Sequence, residues 1–278
     1  MSSPVTRKGD RQRASTASIA AVSAGRLLAV IRVATAVAIV TTSPVMAQQE
    51  GDPVLTEVWE PEPRLVGPGK RGAPPSDAVV LFDGTTLDAW RGVDGDAAWA
   101  IEDGVLTVVP GAGDIISRQA FGDVQLHIEW RTPAVVVGEG QEPGNSGVFL
   151  MQRYEVQVLN SWNNRTYSNG QAASIYKQYI PQVNASRPPG QWQTYDILFQ
   201  APWFGEGGGI ERPAKMTVLH NGVLVQHHVR LHGSTAFIGG AAYETHGPKE
   251  PLQLQDHLEP VSFRNIWIRE LPPPLGGE

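Results

Sequence analysis

Residues 145–159 read Asn-Ser-Gly-Val-Phe-Leu-Met-Gln-Arg-Tyr-Glu-Val-Gln-Val-Leu, and residues 153–158 alternate strictly between polar and apolar side chains, with Leu159 ending the polar row. The apolar positions are Tyr154, Val156 and Val158, and the polar positions between them are Glu155 and Gln157. Because successive side chains of a strand point to opposite faces, this pattern predicts a strand with one apolar face. We expect that face to pack a core, while the other face carries a carboxylate and an amide into a polar environment.

Several other segments repeat this alternation, and none after residue 76 keeps a helical period of 3.6. The dipeptides Asp103-Gly104 and Asn221-Gly222 are typical of tight hairpin turns. Short strands with turn signals at regular spacing indicate a single all-β sandwich or barrel. The predicted strands are 79–82, 99–101, 105–109, 115–118, 123–131, 148–151, 153–159, 194–200, 214–220, 223–229, 251–257 and 261–270.

The charge balance and the absence of cysteine exclude several kinds of site. The 278 residues include 22 basic and 28 acidic residues, for a formal net charge of -6. A chain without a basic excess does not favour nucleic acid as a partner, because phosphate binding needs a basic patch. The chain has no Cys, so it can form neither disulfides nor thiolate metal sites.

The first 47 residues have the layout of a secretory signal peptide. A basic head is followed by a mostly apolar run, residues 27–40, and by Val45-Met46-Ala47, a small-residue cleavage pattern that would leave Gln48 as the mature start. The alternative is a single membrane anchor, but the charge-free run 33–40 is shorter than the roughly 20 residues that a spanning helix needs. We expect export to a bacterial periplasm or exterior, with no stable membrane span after cleavage. A Pro-rich linker or surface strap (48–76), one domain (77–271) and a tail (272–278) follow.

Polar residues occupy the outward positions of three predicted strands. Glu129 and Arg131 share a face, as do Glu155 and Gln157, and Gln253, Gln255 and His257 follow on a third strand. Outward positions are ordinarily just solvated. Charged residues in the middle of strands carry an intrinsic cost, however, and their repetition favours a function. We expect these faces to meet in one concave surface, where carboxylates, amides and aromatic rings could bind a sugar.

The chain carries an ordered set of short motifs: Leu81-Phe-Asp-Gly-Thr-Thr-Leu-Asp-Ala-Trp90, Trp99-x-Ile-Glu-Asp-Gly-Val-Leu106, Glu129-Trp-Arg131, Asn145-Ser-Gly-Val-Phe149, Tyr154-Glu-Val-Gln157, Ile175-Tyr176, Asn184-Ala-Ser186, Gly190-x-Trp192, Leu219-x-Asn-Gly222, Leu254-Gln-x-His257 and Phe263-Arg-Asn-Ile266. In this order the motifs resemble the bacterial 3-keto-disaccharide hydrolase family (3-keto-glucoside 1,2-lyase/3-keto-2-hydroxy-glucal hydratase), formerly a domain of unknown function, over roughly residues 78–271. The resemblance implies a concanavalin A-like jelly-roll sandwich that is usually exported.

The resemblance also implies a reaction on a glycoside or oligosaccharide. A ketone at C3 acidifies the C2 proton, a base removes it, the C1 aglycone leaves, and water adds to the unsaturated product. Glu155 or His257 could be the base, Arg131 could stabilise the enolate, and Glu129 could orient Arg131 or act as the acid. The expected binding residues are Asn145, Gln157, Tyr176, Lys177, Trp192, Gln255 and Arg264. The residue spacing specifies no metal or other cofactor, although a Ca or Zn ion held by carboxylate, amide and imidazole groups remains open.

Two other functions fit the same fold. Many jelly-roll glucanases carry two or three carboxylates at alternating positions of one strand, whereas Glu155 is followed by Gln157 and Leu159. A glycosidase would therefore need Glu129 on a neighbouring strand as the second carboxylate. A noncatalytic carbohydrate-binding module could use the same groove, but it has no need for an acid and a base such as Glu155 and His257 together.

Overall fold

The computed structural model describes residues 52–70 and 72–273. The chain divides into two compact units, Met1–Glu57 and Val58–Glu278. In the first unit the described residues include one short 3-10 helix, Pro53–Thr56, whose preceding residue Asp52 accepts a hydrogen bond from the backbone of Val54 at 3.1 Å. The predicted signal peptide, residues 1–47, lies outside the described residues.

The second unit is built from β-strands and contains one further 3-10 helix, Ser168–Gly170, within its described part. No α-helix occurs in residues 52–70 or 72–273. The strands are β1 (Val79–Phe82), β2 (Trp90–Gly92), β3 (Ala100–Glu102), β4 (Val105–Thr107), β5 (Ile115–Phe121), β6 (Val124–Arg131), β7 (Ser146–Leu150), β8 (Tyr154–Val158), β9 (Gln193–Gln200), β10 (Trp203–Phe204), β11 (Ile210–Arg212), β12 (Lys215–His220), β13 (Val223–Arg230), β14 (Glu250–Leu254) and β15 (Ser262–Glu270).

Two antiparallel sheets form a sandwich. The larger sheet has eight strands in the order β13-β12-β9-β6-β15-β4-β3, with β1 also paired to β15. The smaller sheet has five strands in the order β2-β5-β14-β7-β8, and β10 and β11 form a separate two-stranded ribbon. The predicted all-β jelly-roll sandwich is confirmed.

The core lies between the sheets because the longer strands of both sheets bury their apolar rows there. On β6, Val124, Leu126 and Ile128 are fully buried, and each such side chain contributes roughly 1.5–3 kcal/mol of burial free energy. The apolar row of β8 meets the larger sheet where the ring of Tyr154 lies 5.5 Å from that of Phe199. The outward residues of β6 and β8 must therefore lie on opposite outer faces of the sandwich.

Part of the Pro-rich segment lies against the outer face of the larger sheet. The carbonyl oxygen of Gly72 accepts hydrogen bonds from Asn265 Nδ2 and Trp267 Nε1, both at 3.0 Å. Asp77 at the end of this segment accepts from Arg64 and Arg269, both at 2.8 Å. Among the described residues no helix is long and apolar enough to cross a membrane.

Candidate functional site

A cavity of about 790 Å³ lies on the outer face of the five-stranded sheet. Its floor comes from β7, β8 and the chain that follows β14, and its walls come from the loops around residues 141, 167–176, 235–237 and 257–259. The volume is in the range of small-ligand sites, about 300–1,000 Å³. The lining residues are Gln141, Glu142, Asn145, Phe149, Glu155, Gln157, Tyr167, Tyr176, Thr235, Phe237, Gln255, His257, Leu258 and Glu259.

Glu155 is the buried carboxyl group of this cavity. Its side chain points outward from β8, yet the residue is only 4% exposed, and no described residue donates a hydrogen bond to its carboxylate. Burial raises the pKa of Glu155 from 4.5 to about 8, because a desolvated carboxylate is disfavoured relative to the neutral acid. An unpaired carboxyl group with a pKa this close to neutrality can exchange a proton with a ligand.

Gly147 on the neighbouring strand leaves the space that Glu155 occupies. A Cβ atom at Gly147 would lie 2.9 Å from Glu155 Oε1 and 2.5 Å from the ring of Phe149. Phe149 is itself paired with Glu155 in the register of β7 and β8. A side chain larger than hydrogen at position 147 would therefore displace the carboxyl group or the aromatic ring beside it.

Two amides on the cavity floor are held in defined orientations. Gln157 Nε2 donates to Asn145 Oδ1 at 2.9 Å, and Asn145 Nδ2 donates to the carbonyl oxygen of Gln141 at 2.7 Å. The side-chain amide of Gln255 makes no hydrogen bond to another described residue, although its backbone is tied to Ser146 at 2.7 Å. Gln255 therefore keeps both donor and acceptor capacity for a ligand hydroxyl.

A pair of tyrosines forms one wall beside Glu155. The hydroxyls of Tyr167 and Tyr176 lie 2.6 Å apart, and the backbone N–H of Tyr176 donates to the carbonyl oxygen of Glu155 at 3.3 Å. Burial raises the pKa of Tyr176, and the Tyr167 hydroxyl and Glu155 raise it further, so this phenol stays protonated. Of the two protons in the pair, one joins the hydroxyls and the other is free to donate to a ligand.

The cavity rim carries a cation, an imidazole and two further carboxylates. Lys177 Nζ donates to the carbonyl oxygen of Phe237 and lies 4.2 Å from the centre of its ring. His257 is exposed in the loop after β14, and Glu259 accepts a hydrogen bond from the backbone of Gly144 at 3.2 Å. Glu142 is exposed at the same rim.

Seven of the residues singled out from the sequence gather at this cavity. Six line it, and Lys177 lies at its rim, in contact with Phe237. The sequence analysis missed Tyr167, Thr235, Phe237, Glu142 and Glu259, which lie in loops without a periodic pattern. The six lining residues are Asn145, Glu155, Gln157, Tyr176, Gln255 and His257.

Four other predicted residues form a separate cluster on the outer face of the larger sheet. The guanidinium groups of Arg131 and Arg264 lie 4.7 and 4.1 Å from the ring centre of Trp192. Glu129 accepts from Arg264 Nε at 2.7 Å and from Asn265 Nδ2 at 2.9 Å. Burial opposes these contacts, but the two hydrogen bonds and the Arg264 charge outweigh it and lower the pKa of Glu129.

The two clusters cannot share one ligand, so the expectation that the three polar faces meet in one concave surface is wrong for Glu129 and Arg131. Strands β6 and β15, which carry Glu129, Arg131 and Arg264, belong to the eight-stranded sheet, whereas Glu155 belongs to the five-stranded sheet. Their polar faces therefore point away from each other across the core. Within residues 52–70 and 72–273, no group of three or more His, Asp or Glu side chains is arranged to hold a metal ion.

Known proteins share sequence and fold with this chain. Residues 77–269 match the 3-keto-alpha-glucoside-1,2-lyase-like domain. The chain is similar to a 3-keto-disaccharide hydrolase of Bacteroides thetaiotaomicron, with 25% identity over 241 residues that cover 69% of this chain and 78% of that protein. It also resembles a crystal structure of a protein from Parabacteroides distasonis that is proposed to be a glycosyl hydrolase, with 50% identity and a TM-score of 0.76 over 79% of this chain and 97% of the other. A second such protein from the same organism, with 20% identity and a TM-score of 0.52, shares the fold over 70% of this chain and 94% of its own.

Proposed function

The chain belongs to the family of 3-keto-alpha-glucoside-1,2-lyase-like domains, which makes it a carbohydrate-active, hydrolase-like protein, and we propose that it cleaves 3-keto-glycosides by elimination followed by hydration. The observation that carries this proposal is the buried, unpaired carboxyl group of Glu155 on the floor of a cavity large enough for a sugar. Net hydrolysis results when water adds to the unsaturated sugar.

Glu155 is proposed as the base that removes the C2 proton. With a pKa of about 8, roughly a tenth of the carboxyl groups are ionised at pH 7, and the ionised form is a stronger base than an ordinary carboxylate. The proton moves from C2 to the Glu155 carboxylate, and the electron pair of the C–H bond forms the enolate of the C3 ketone. Collapse of the enolate expels the C1 oxygen and leaves a C1–C2 double bond.

The tyrosine pair is proposed to stabilise the enolate. A neutral phenol in a buried wall donates a hydrogen bond to a developing oxyanion without losing its own proton. Tyr176 meets this requirement because it is 9% exposed, its pKa is raised, and its backbone is bonded to that of Glu155. His257, exposed at the rim, is proposed to protonate the leaving oxygen, which would lie toward solvent.

Substrate hydroxyls are assigned to the amides of Asn145, Gln157 and Gln255, and the C–H face of the sugar to the ring of Phe149. These groups share the cavity floor with Glu155, and two of the amides are already held by hydrogen bonds. Preformed amides bind a hydroxyl without the entropic cost of ordering a mobile side chain.

Comparing a 3-keto-disaccharide with the unoxidised disaccharide tests the proposal. We expect release of the aglycone sugar from the keto form alone, with no release by the Glu155→Gln variant. Release from the unoxidised disaccharide at a comparable rate would contradict elimination, since that substrate lacks the ketone that acidifies C2. Binding of both sugars without turnover would indicate a noncatalytic module.

An ordinary glycoside hydrolase remains the second candidate, because Glu142 and Glu259 line the same cavity as Glu155. Direct hydrolysis needs two carboxyl groups on either side of the scissile bond. The assay with the 3-keto-disaccharide and the unoxidised disaccharide separates the two functions. A hydrolase that uses Glu155 with Glu142 or Glu259 would cleave the unoxidised disaccharide.

We also propose that the protein acts in the bacterial periplasm or outside the cell. The basic head, the apolar run and the Val45-Met46-Ala47 pattern support this location. N-terminal sequencing of the protein expressed in its native host should begin at Gln48, whereas an intact N-terminus would contradict export.

A further inference from the structure

A second large groove lies on the opposite side of the sandwich from the Glu155 cavity. It has a volume of about 720 Å³. Leu198, Lys215 and Thr217 reach it from β9 and β12, where the alternate residues Phe199, Met216 and Val218 are buried in the core. The ribbon of β10 and β11 and residues 270–273 form its walls.

The groove has an exposed aromatic platform. Trp203, at the start of β10, is 53% exposed, and Leu198 on β9, which lines the same groove, is 41% exposed. Tryptophan combines a large apolar face with an N–H donor, which suits the flat C–H face of a sugar ring next to its hydroxyls.

The charges around this platform leave a cation without a partner. Arg212 is paired with Asp123 at 3.3 Å, and Lys249 with Glu270 at 2.7 Å, so these four groups balance each other. The backbone of Lys215 is paired within the sheet, but its side-chain ammonium group forms no ion pair or hydrogen bond with any described residue. In a chain of net charge -6, the groove therefore carries a local positive charge that favours an anionic ligand.

A β-bulge places a histidine in the same groove. Met216 pairs with Val229 and Val218 with Gln226, so two residues of β13 lie opposite Thr217 alone. His228 adopts a φ of 50° there, which a residue with a side chain rarely does, and its backbone N–H donates to Thr217 Oγ1 at 3.0 Å. Bulges of this kind re-aim side chains and are enriched near functional sites.

We propose that this groove binds an acidic sugar unit, of the uronic acid class, at a site separate from the Glu155 cavity. The sugar ring stacks on Trp203, its carboxylate pairs with Lys215, and the imidazole of His228 bonds a hydroxyl or the carboxylate. The proposal does not depend on the reaction proposed for Glu155. Such a site would hold the protein on an acidic polysaccharide while the other face acts on its substrate.

Isothermal titration calorimetry of the mature chain, which begins at Gln48, with tetragalacturonate tests this site. Cellotetraose is the matched neutral sugar. Trp203→Ala should weaken tetragalacturonate binding by at least about fivefold, as loss of an aromatic anchor does. Lys215→Gln should weaken it by about two- to fivefold, and this difference should shrink at 1 M salt, as expected for an exposed ion pair. Cellotetraose should bind more weakly than tetragalacturonate to the unaltered chain.

Glu155→Gln is the control for binding in the other cavity, and we expect it to leave tetragalacturonate affinity unchanged. If Glu155→Gln changed the affinity for tetragalacturonate and Trp203→Ala did not, the ligand would be bound in the Glu155 cavity and the proposal would be overturned. The proposal would also be overturned if tetragalacturonate failed to bind at millimolar concentration, or if cellotetraose bound equally well and Lys215→Gln had no effect. Turnover of a 3-keto-disaccharide by Trp203→Ala is measured in parallel and should be unchanged. This measurement distinguishes a failure of the groove proposal from a failure of the reaction proposed for Glu155.

Discussion

Replacing Glu155 by Gln should stabilise the fold at neutral and alkaline pH while abolishing turnover. The folded protein holds this carboxyl group in its neutral form because burial raises the pKa from 4.5 to about 8. An unfolded chain has no such restriction, so it releases the proton once the pH exceeds about 4.5. Gln has nearly the same shape and no proton to lose, and it therefore removes this advantage of the unfolded state.

The magnitude follows from the two pKa values. Since the folded-state pKa is raised, the contribution of Glu155 to stability is fully present below pH 4.5 and is lost as the pH rises through 8. The loss amounts to roughly 1 kcal/mol at pH 5, roughly 3 kcal/mol at pH 7 and roughly 5 kcal/mol above pH 9. A stability of about 5–15 kcal/mol is typical of a domain, so the effect at pH 7 is large.

Urea unfolding followed by tryptophan fluorescence measures this difference directly. The free energy of unfolding of both proteins is determined at pH 5, 7 and 8.5, and the gain in Glu155→Gln should increase with each step. A gain that stays constant across this range would refute the reasoning, because it would mean that Glu155 titrates alike in the folded and unfolded chains. A variant less stable than the original at pH 7 would refute it equally.

Three further substitutions test the geometry of the two faces. Gly147→Ala should cost about 1–3 kcal/mol of stability and lower turnover, because the added methyl group crowds Glu155. Gly207→Ala, at a position with open space around it, should change neither quantity. If the two variants had equal effects in urea unfolding and in turnover assays, the proposed crowding at Gly147 would be contradicted. Tyr176→Phe should lower kcat about 10²-fold with little change in KM. Tyr179→Phe, which alters a tyrosine outside the cavity, should leave kcat unchanged. A change confined to KM in Tyr176→Phe would show that Tyr176 only binds the substrate. Glu129→Gln should leave turnover within about twofold and reduce stability at pH 7 by about 1–3 kcal/mol. The pKa of Glu129 is lowered in the folded chain, so its ionised carboxylate stabilises the fold at pH 7, and this contribution is lost as the pH falls through that pKa. A loss of turnover above tenfold would place Glu129 at the substrate.

Strands and tight turns could be predicted because their signals are local. The alternation in β6 buries Val124, Leu126 and Ile128 and leaves Gln125 and Glu129 half-buried on the outer face. The Asp103-Gly104 turn has positive φ angles of 50° and 76° at its two central residues. The ribbon of β10 and β11 was missed, since strands of two and three residues are too short to show alternation. Strand β14 ends at Leu254 rather than at residue 257, because Asp114 bonds both Gln253 at 2.6 Å and the backbone of Asp256 at 2.8 Å.

The composition of the cavity could be predicted only in part. Glu155 and Gln157 were visible as outward residues of a strand, but the sheet that each strand joins depends on pairing between distant segments. For this reason Glu129 and Glu155 looked alike in the sequence and lie on opposite faces of the sandwich. Tyr167 and Phe237 were not visible because they lie in loops, whose path is set by contacts with the sheet rather than by a repeating pattern.

The most direct measurement of the central claim is the fate of hydrogen at C2. A 3-keto-glycoside carrying deuterium at C2 is incubated with the protein in ordinary water, alongside the Glu155→Gln variant and a sample without protein. We expect the 3-keto sugar released by the unaltered protein to lose deuterium from C2 to solvent, and single-turnover cleavage to be slower than with the unlabelled substrate. Full retention of deuterium together with an unchanged cleavage rate would contradict removal of the C2 proton.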